Sequence, residues 1–256
     1  MTRTQGASLL QIKAVITDYI GTLTNARSYT MEASLAKLHE ALADAGFQTE
    51  KGKFLEAYGK AHEKYRLIRF GELREVTNAV WVSETLGCLG YQVEVGDERV
   101  KAALDVFFEE YIRSLELRPY AEKLLKKIRE TCKLGLVSNF TCAQVVHESM
   151  KRLGITQYFN SVIISQECGW RKPHKKIFTE ALEKLHVKPE EAVFIGDNPF
   201  EDIKGAADAG MKTVFVCSQF YSAKDLETSQ QHPEVVAIDL KEVYKNFTKI
   251  ISKIGK

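Results

Sequence analysis

One short stretch decides the fold of this chain: Ile12-Lys-Ala-Val-Ile-Thr-Asp-Tyr-Ile-Gly-Thr-Leu23. An apolar, β-branched run ends in Asp18, and Gly21 and Thr22 follow in a tight turn. Such runs are typical of parallel strands that are buried on both faces. A carboxylate at the end of such a strand faces the crevice where open sheets bind ligands, and it is costly to bury there without a cation or donors. Taken alone, Asp18 fits the start of an Asx-turn equally well.

The same pattern recurs along the chain. Short β-branched runs alternate with stretches of helical periodicity, and two of these stretches are followed by Gly154 and Gly210, a usual glycine position after a helix. The alternation predicts an α/β protein with a doubly wound parallel sheet. The predicted strands are Ile12 to Thr17, Leu134 to Val137, Ser161 to Ser165, Ala192 to Ile195, Thr213 to Cys217 and Val235 to Ile238. The predicted helices are Ala121 to Arg129, Ala143 to Leu153, Lys175 to Leu185, Asp202 to Ala209 and Tyr244 to Ile254.

Residues 28–117 differ from the rest because they carry almost no strand signal. Apolar side chains such as Leu35, Leu38 and Leu42 recur there at helical spacing. We therefore predict four or five helices in an all-helical cap domain of residues 28–117, inserted into a core domain of residues 1–27 and 118–256. An insert after the first strand would lie over the carboxyl ends of the strands and act as a lid.

Composition narrows the class of protein and its partners. The chain has 256 residues, of which 45% are hydrophobic, and this excludes intrinsic disorder and a small disulfide scaffold. Lys and Arg total 36 against 34 Asp and Glu, so charge gives no reason to expect a nucleic-acid or membrane partner. No apolar run reaches the ~18–20 residues of a membrane helix, and the first residues do not resemble a secretory signal. The five widely spaced cysteines are typical of reduced thiols, so we expect a cytoplasmic protein.

Polar side chains lie at the ends of other predicted strands. Ser138 and Asn139 follow one strand, Lys172 stands before a proline, and Asp197 and Asp202 follow another strand. Each has a plainer interpretation, since Ser, Asn and Asp are good helix N-caps and Lys172 is compatible with a solvated loop. Converging carboxylates, however, repel each other unless a hard cation such as Mg²⁺ lies among them.

Together these residues resemble the four motifs of the haloacid dehalogenase superfamily of hydrolases. The motifs are Asp18 to Leu23, then Ser138, then Lys172 before its proline, then Gly196-Asp197 with Asp202. The resemblance covers nearly the whole chain, and the helical insert matches the C1-type cap between the first two motifs. It implies a Rossmann-like core.

The resemblance also implies roles for the motif residues. Asp18 is the expected nucleophile, which attacks phosphorus and forms an aspartyl-phosphate, and Lys172 neutralises the nucleophile and the transferring group. The expected Mg²⁺ ligands are Asp18, the backbone carbonyl of Ile20, Asp197 and Asp202, the last directly or through water. The expected phosphoryl-binding residues are Thr22, Ser138 and Asn139.

Ile20 departs from the family's phosphatases. They carry a second Asp two residues after the nucleophile, which protonates the leaving oxygen and later activates water. Residues i and i+2 of an extended segment face the same side, so Ile20 places a hydrocarbon there. General acid–base help is worth roughly 10²–10⁴-fold in rate. Relatives without this Asp include the 2-haloacid dehalogenases, which use no metal, and the phosphonoacetaldehyde hydrolases, which use a cap lysine.

The fourth motif favours a phosphatase. Without Mg²⁺, Asp197 and Asp202 would repel the attacking carboxylate and would also repel a haloacid anion. We therefore predict Mg²⁺-dependent hydrolysis of a small phosphorylated metabolite. A dehalogenase-like hydrolase stays open. So does an impaired relative that binds a phosphorylated ligand or a partner, because Ile20 removes the acid. A phosphonatase-like reaction has little support, since the cap lysines lie on polar helix faces: Lys37, Lys53, Lys60 and Lys64.

Overall fold

The core of the molecule is a six-stranded sheet. The computed structural model describes residues 11–255. The strands run in the order β5-β4-β1-β6-β7-β8, and every neighbouring pair is parallel. The strands of the chain are β1 (Ala14–Thr17), β2 (Thr24–Ala26), β3 (Leu115–Leu117), β4 (Lys133–Ser138), β5 (Ser161–Ile164), β6 (Ala192–Gly196), β7 (Lys212–Val216) and β8 (Val235–Ala237). The doubly wound parallel sheet is thus confirmed, and its strand order reverses at β1, where such sheets bind ligands.

Helices cover both faces of this sheet. Side chains from α5, α6 and α11 form one buried cluster with the sheet, and side chains from α8 and α9 form another. The helices are α1 (Met31–Asp44), α2 (Lys51–Gly71), α3 (Asn78–Cys88), α4 (Glu98–Ser114), α5 (Ala121–Arg129), α6 (Ala143–Arg152), α7 (Ser165–Cys168), α8 (Lys175–Leu185), α9 (Gly205–Asp208), α10 (Ala223–Ser229) and α11 (Leu240–Ile254).

The six predicted strands all form, with ends within two residues of the prediction. The helix predicted to begin at Asp202 begins earlier. Residues Pro199–Lys204 form a π-helical turn, because the side chain of Asn198 caps the N–H groups of Phe200 and Glu201. The last helix also begins before the predicted Tyr244, since Asp239 accepts from the Glu242 N–H as its N-cap.

Packing under β6 fixes the strand end that carries Asp197. Phe194 is fully buried and meets Phe178 of α8 edge-to-face, with 5.4 Å between the ring centroids. Replacing a buried Phe by Ala typically costs about 3–5 kcal/mol of stability. The sheet beneath the candidate site is therefore rigidly packed on this side.

The inserted segment contains α1 to α4, which build a hydrophobic cluster around Phe54, Trp81 and Phe107, and Val145 of α6 also joins it. Strands β2 and β3 pair antiparallel, so the chain enters and leaves the inserted segment side by side. These two short strands were not predicted, because three residues are too few for a period of two to stand out in the sequence. The division into core and cap at residues 28 and 117 stays a prediction.

All five cysteines are free thiols. Among residues 11–255, no helix has both the length and the apolar character needed to cross a bilayer. The expectation about a secretory signal concerns residues 1–10, which lie outside the described residues.

Candidate active site

Asp18 stands directly after β1 at the reversal of strand order. Its N–H donates to the Ile195 carbonyl of the neighbouring strand at 3.0 Å. The turn that follows is held by the Gly21 N–H on the Thr24 carbonyl at 2.8 Å. Gly21 has φ +95°, and a Cβ there would lie 2.5 Å from Asp197 Oδ2. Only glycine fits both the backbone angle and the close approach of the second acid.

Lys172 is the buried centre of the site. Its Nζ donates to Asp18 Oδ1 at 2.7 Å, to Asp202 Oδ1 at 2.6 Å and to the Val137 carbonyl at 3.0 Å. The side chain is 1% exposed. Burial alone would lower the pKa of this ammonium, but the charges of Asp18 and Asp202 and their hydrogen bonds raise it above its usual value. Lys172 therefore stays charged, with all three of its protons donated.

Asp202 connects Lys172 to the loop after β6. Its Oδ2 accepts from the backbone N–H groups of Asp197 at 3.1 Å and Asn198 at 3.0 Å. Burial raises the pKa of this carboxyl well above its usual range; Lys172 opposes that shift, and the charge of Asp18 adds to it. Both oxygens of Asp202 are thus engaged within the protein.

Asp197 faces the turn after β1. Thr22 Oγ1 donates to its Oδ1 at 3.0 Å, and Ser218 Oγ donates to its Oδ2 at 2.6 Å. Burial, followed by the charge of Asp18, raises the pKa of Asp197 to about 6. The predicted phosphate-binding hydroxyl of Thr22 therefore orients Asp197 in this structure.

The three carboxylates form a site that fits a hard divalent cation. One oxygen each from Asp18, Asp197 and Asp202 lies within 4.8 Å of the others. Asp18 Oδ2 is buried and has no hydrogen-bond partner among the described residues. A single ammonium faces three acids, so two negative charges are uncompensated when all three are ionised. Oxygen donors and this excess of negative charge are what Mg²⁺ requires.

Asn139 holds the backbone of Lys172. The Lys172 N–H donates to Asn139 Oδ1 at 2.7 Å, and Asn139 Nδ2 donates to the Lys172 carbonyl at 3.0 Å. The sequence assigned Asn139 to phosphoryl oxygens, whereas here both ends of its amide bind the protein. Ser138 is buried at the end of β4, directly after Val137, whose carbonyl accepts from Lys172.

Ile20 has no proton to offer. Its side chain packs against the hydrophobic cluster between the sheet and α5, α6 and α11. The backbone bonds of the turn run from the Thr24 N–H to the Tyr19 carbonyl and from the Gly21 N–H to the Thr24 carbonyl. Neither uses the Ile20 carbonyl, which is the atom that the sequence assigned to the metal.

A model of the haloacid dehalogenase-like hydrolase family matches residues 12–210. The chain belongs to this family. In this haloacid dehalogenase-like hydrolase, Asp18 and Asp202 bind Lys172, and Asp197 lies beside both acids.

Two similar proteins are named as phosphatases. Over 208 residues the chain is 34% identical to a glyceraldehyde 3-phosphate phosphatase of Methanopyrus kandleri, which covers 79% of this chain and 83% of that protein. It is 35% identical to a phosphoserine phosphatase of Thermus thermophilus over 57% of each chain. A solved 2-haloacid dehalogenase of Pseudomonas syringae superposes with a TM-score of 0.68 at 23% identity, over 93% of this chain and 99% of that one, which shows the shared fold.

Two residues of the site, Arg118 and Ser218, were not predicted from the sequence. Arg118, which follows β3, donates from NH1 to the Gly21 carbonyl at 2.5 Å and from NH2 to the Cys217 carbonyl at 2.6 Å, and so braces the turn after Asp18. Ser218 binds Asp197. Ser218 lies just beyond β7, so the strand-end rule that found the acids applies to it too, whereas a lone arginine carries no signal.

The cap of the hydrolase contributes an aromatic cavity of about 280 Å³ beside the core residue Phe140. Its walls include Tyr58, Trp81 and Phe107, and the Oδ1 atom of Asn78 is buried without a hydrogen-bond partner among the described residues. The cavity also includes Tyr111. Burial first, and then the charges of neighbouring groups including Asp18, raise the pKa of its phenol, so it stays protonated.

Proposed function

We propose that this hydrolase cleaves small phosphate monoesters through an aspartyl-phosphate on Asp18, with Mg²⁺ as its cofactor. The observation that carries the proposal is the buried set of Asp18, Asp197 and Asp202 around one fully paired Lys172. A dehalogenase attacking a haloacid anion gains nothing from two further acids. The phosphatase names of the relatives support the same reaction.

The two oxygens of Asp18 have different surroundings, as the reaction requires. Lys172 binds Oδ1, and Oδ2 has no protein donor among the described residues. Attack by this carboxylate forms the Asp18 O–P bond and breaks the bond from phosphorus to the alcohol oxygen. The alcohol oxygen leaves as an anion and takes a proton from solvent water. A second water then attacks phosphorus, breaks the Asp18 O–P bond and gives its proton to solvent, which releases phosphate and frees the carboxylate.

The other residues stabilise and orient. Lys172 stabilises negative charge that develops on the transferring group, and Asp202 and Asn139 keep its ammonium and backbone in place. Asp197, with Asp18 and the Ile20 carbonyl, would hold Mg²⁺. When bound, the ion supplies positive charge for the phosphoryl oxygens and neutralises the acids.

Ile20 leaves the alcohol without the usual acid. Leaving groups of low pKa need little protonation, so we expect aryl phosphates to be hydrolysed faster than alkyl phosphates. The aromatic cavity of the cap is the place for the alcohol part of the ester.

The test is phosphate release from p-nitrophenyl phosphate and from a panel of phosphorylated metabolites, with Mg²⁺ and with a chelator. We expect turnover only with Mg²⁺. Asp18→Asn should abolish it, while Asp44→Asn on the exposed face of α1 should not. Halide release from a 2-haloacid that ignores the chelator would instead establish a dehalogenase. Binding of inorganic phosphate without turnover of any ester would establish a binding protein.

A further inference from the structure

Outside the acidic site, one cap carboxylate is almost completely buried. Glu75 lies in the loop between α2 and α3, and its side chain is 1% exposed. Its Oε1 accepts from Arg69 Nε at 3.0 Å and from the Val76 N–H at 3.1 Å. Its Oε2 accepts from Arg171 NH1 at 2.6 Å and from the Ser165 hydroxyl. Four donors surround one carboxylate, and two of them belong to the core.

The same loop docks on the core through its backbone. The Arg171 N–H donates to the Leu73 carbonyl at 2.9 Å, and the Glu75 N–H donates to the Gly169 carbonyl at 3.0 Å. Residues 73–75 thus pair antiparallel with residues 169–171, which directly precede Lys172. The cap therefore binds the segment of the core that immediately precedes Lys172.

Ser165 extends the contact to the other side of the site. The Ser165 hydroxyl donates its one hydrogen bond to the Glu75 carboxylate, and its oxygen accepts from the Phe140 N–H at 2.9 Å. Phe140 follows Asn139, whose amide clamps the backbone of Lys172. The Glu75 carboxylate thus binds Arg171, the neighbour of Lys172 in the chain. Through Ser165 it is also linked to Phe140, two residues after Ser138.

The charges of this cluster balance. Arg69 and Arg171 face Glu75, and Arg171 NH2 also lies 3.7 Å from Glu201 Oε1. Removing one partner of a buried charged network leaves the others unpaired. A neutral side chain at position 75 would leave Arg69 and Arg171 without this carboxylate, so the charge of Glu75 is needed to hold both arginines in place.

We propose that Glu75 is a positioning residue that couples docking of the cap to the placement of Lys172 and of residues 138–140, which end β4 and follow it. The proposal rests on the proposed phosphatase function. Glu75 touches no reacting atom; it acts through Arg171 and Ser165. A shift of the Lys172 ammonium by about 1 Å can lower the rate on the order of 100-fold. The loss falls mainly on kcat, because negative charge develops on the transferring group in the transition state.

The test is Glu75→Gln, which keeps the size but replaces one acceptor oxygen with an NH₂ group. The new NH₂ group cannot accept a hydrogen bond, yet it must face either Arg69 or the pair of Arg171 and Ser165. We expect kcat to fall about 10- to 100-fold while KM changes less than threefold. Glu72→Gln is the matched control, because Glu72 is exposed in the same loop. Glu75→Asp keeps the charge with a shorter reach and should recover part of the lost kcat.

Ser165→Ala keeps the test decisive if Glu75→Gln does not fold. It leaves both arginine contacts in place and removes the hydroxyl that bonds both Glu75 and Phe140, so kcat should fall by a smaller factor. A folded Glu75→Gln protein with kcat within twofold of wild type overturns the proposal, and so does a change confined to KM. In Ser165→Ala, unchanged kcat would do the same.

Failure of the two proposals is distinguishable. If the wild-type protein hydrolyses no ester, the proposed function fails. Glu75 is then tested by the affinity for orthovanadate with Mg²⁺, because five-coordinate vanadate mimics the transferring phosphoryl group; this affinity should weaken about tenfold or more in Glu75→Gln and stay unchanged in Glu72→Gln. Equal affinities of wild type and Glu75→Gln would then overturn the role of Glu75.

Discussion

The core side and the cap side of the candidate site differ in the forces that build them. On the core side, charged groups are held by strand ends and by one another: Lys172 donates all three protons, and both oxygens of Asp197 and of Asp202 are engaged. On the cap side, helices present aromatic rings around a cavity of about 280 Å³. The proposed function gives the core side the reaction at phosphorus and the cap side the choice of the group attached to it.

The two sides respond differently to substitution for a physical reason. Buried charges depend on each partner, so loss of one leaves an uncompensated charge. Aromatic walls depend on area and shape, so one change is partly absorbed by its neighbours. Substitutions in the core should therefore affect stability and rate together, and substitutions in the cavity should separate them.

Lys172→Met should have the largest effect. We expect phosphate release to fall by about 10³-fold or more, because the transferring group loses its fixed positive charge. The free energy of unfolding should fall by about 3–5 kcal/mol, since Asp18 and Asp202 stay buried without their ammonium. Urea unfolding and a phosphate assay measure the two. Lys184→Met, at an exposed position of α8, is the control; if Lys172→Met resembles it, the charged core is not needed.

Ile20→Asp should have the next largest effect, and it should raise activity. The new carboxyl supplies the missing acid, so kcat for an alkyl phosphate should rise by up to about 10²-fold, and kcat for an aryl phosphate by less. Ile20→Asn is similar in size but lacks the acid, and it should give no gain. An equal gain in both variants, or none in either, would show that a proton donor at this position does not limit the reaction.

Asn78→Leu should have the smallest effect and should separate binding from stability. The buried Oδ1 of Asn78 has no partner among the described residues, so an apolar replacement should leave the free energy of unfolding unchanged or raise it. If this atom binds the alcohol part of the substrate, KM should rise about fivefold to tenfold with kcat little changed. Unchanged KM for every substrate that is turned over would remove Asn78 from the substrate pocket.

The acids of the site were predictable, and their exact contacts were not. Asp18, Lys172, Asp197 and Asp202 follow strand ends or turns that the residue pattern marks, and parallel strands bring such ends to one edge. The amide of Asn139 and the hydroxyl of Thr22 are polar groups at the right place, but only the side-chain geometry shows that they hold Lys172 and Asp197.

The parallel sheet, the helical insert and the set of charged groups could be predicted from the residues alone, because burial on both faces and helical spacing leave local patterns in a single sequence. The tertiary structure alone decided that Arg118 braces the turn after Asp18 and that Glu75 binds Arg171, 96 residues further along the chain. A contact over such a distance leaves no periodicity in one sequence. It exists only because the fold brings the cap loop and the segment before Lys172 together.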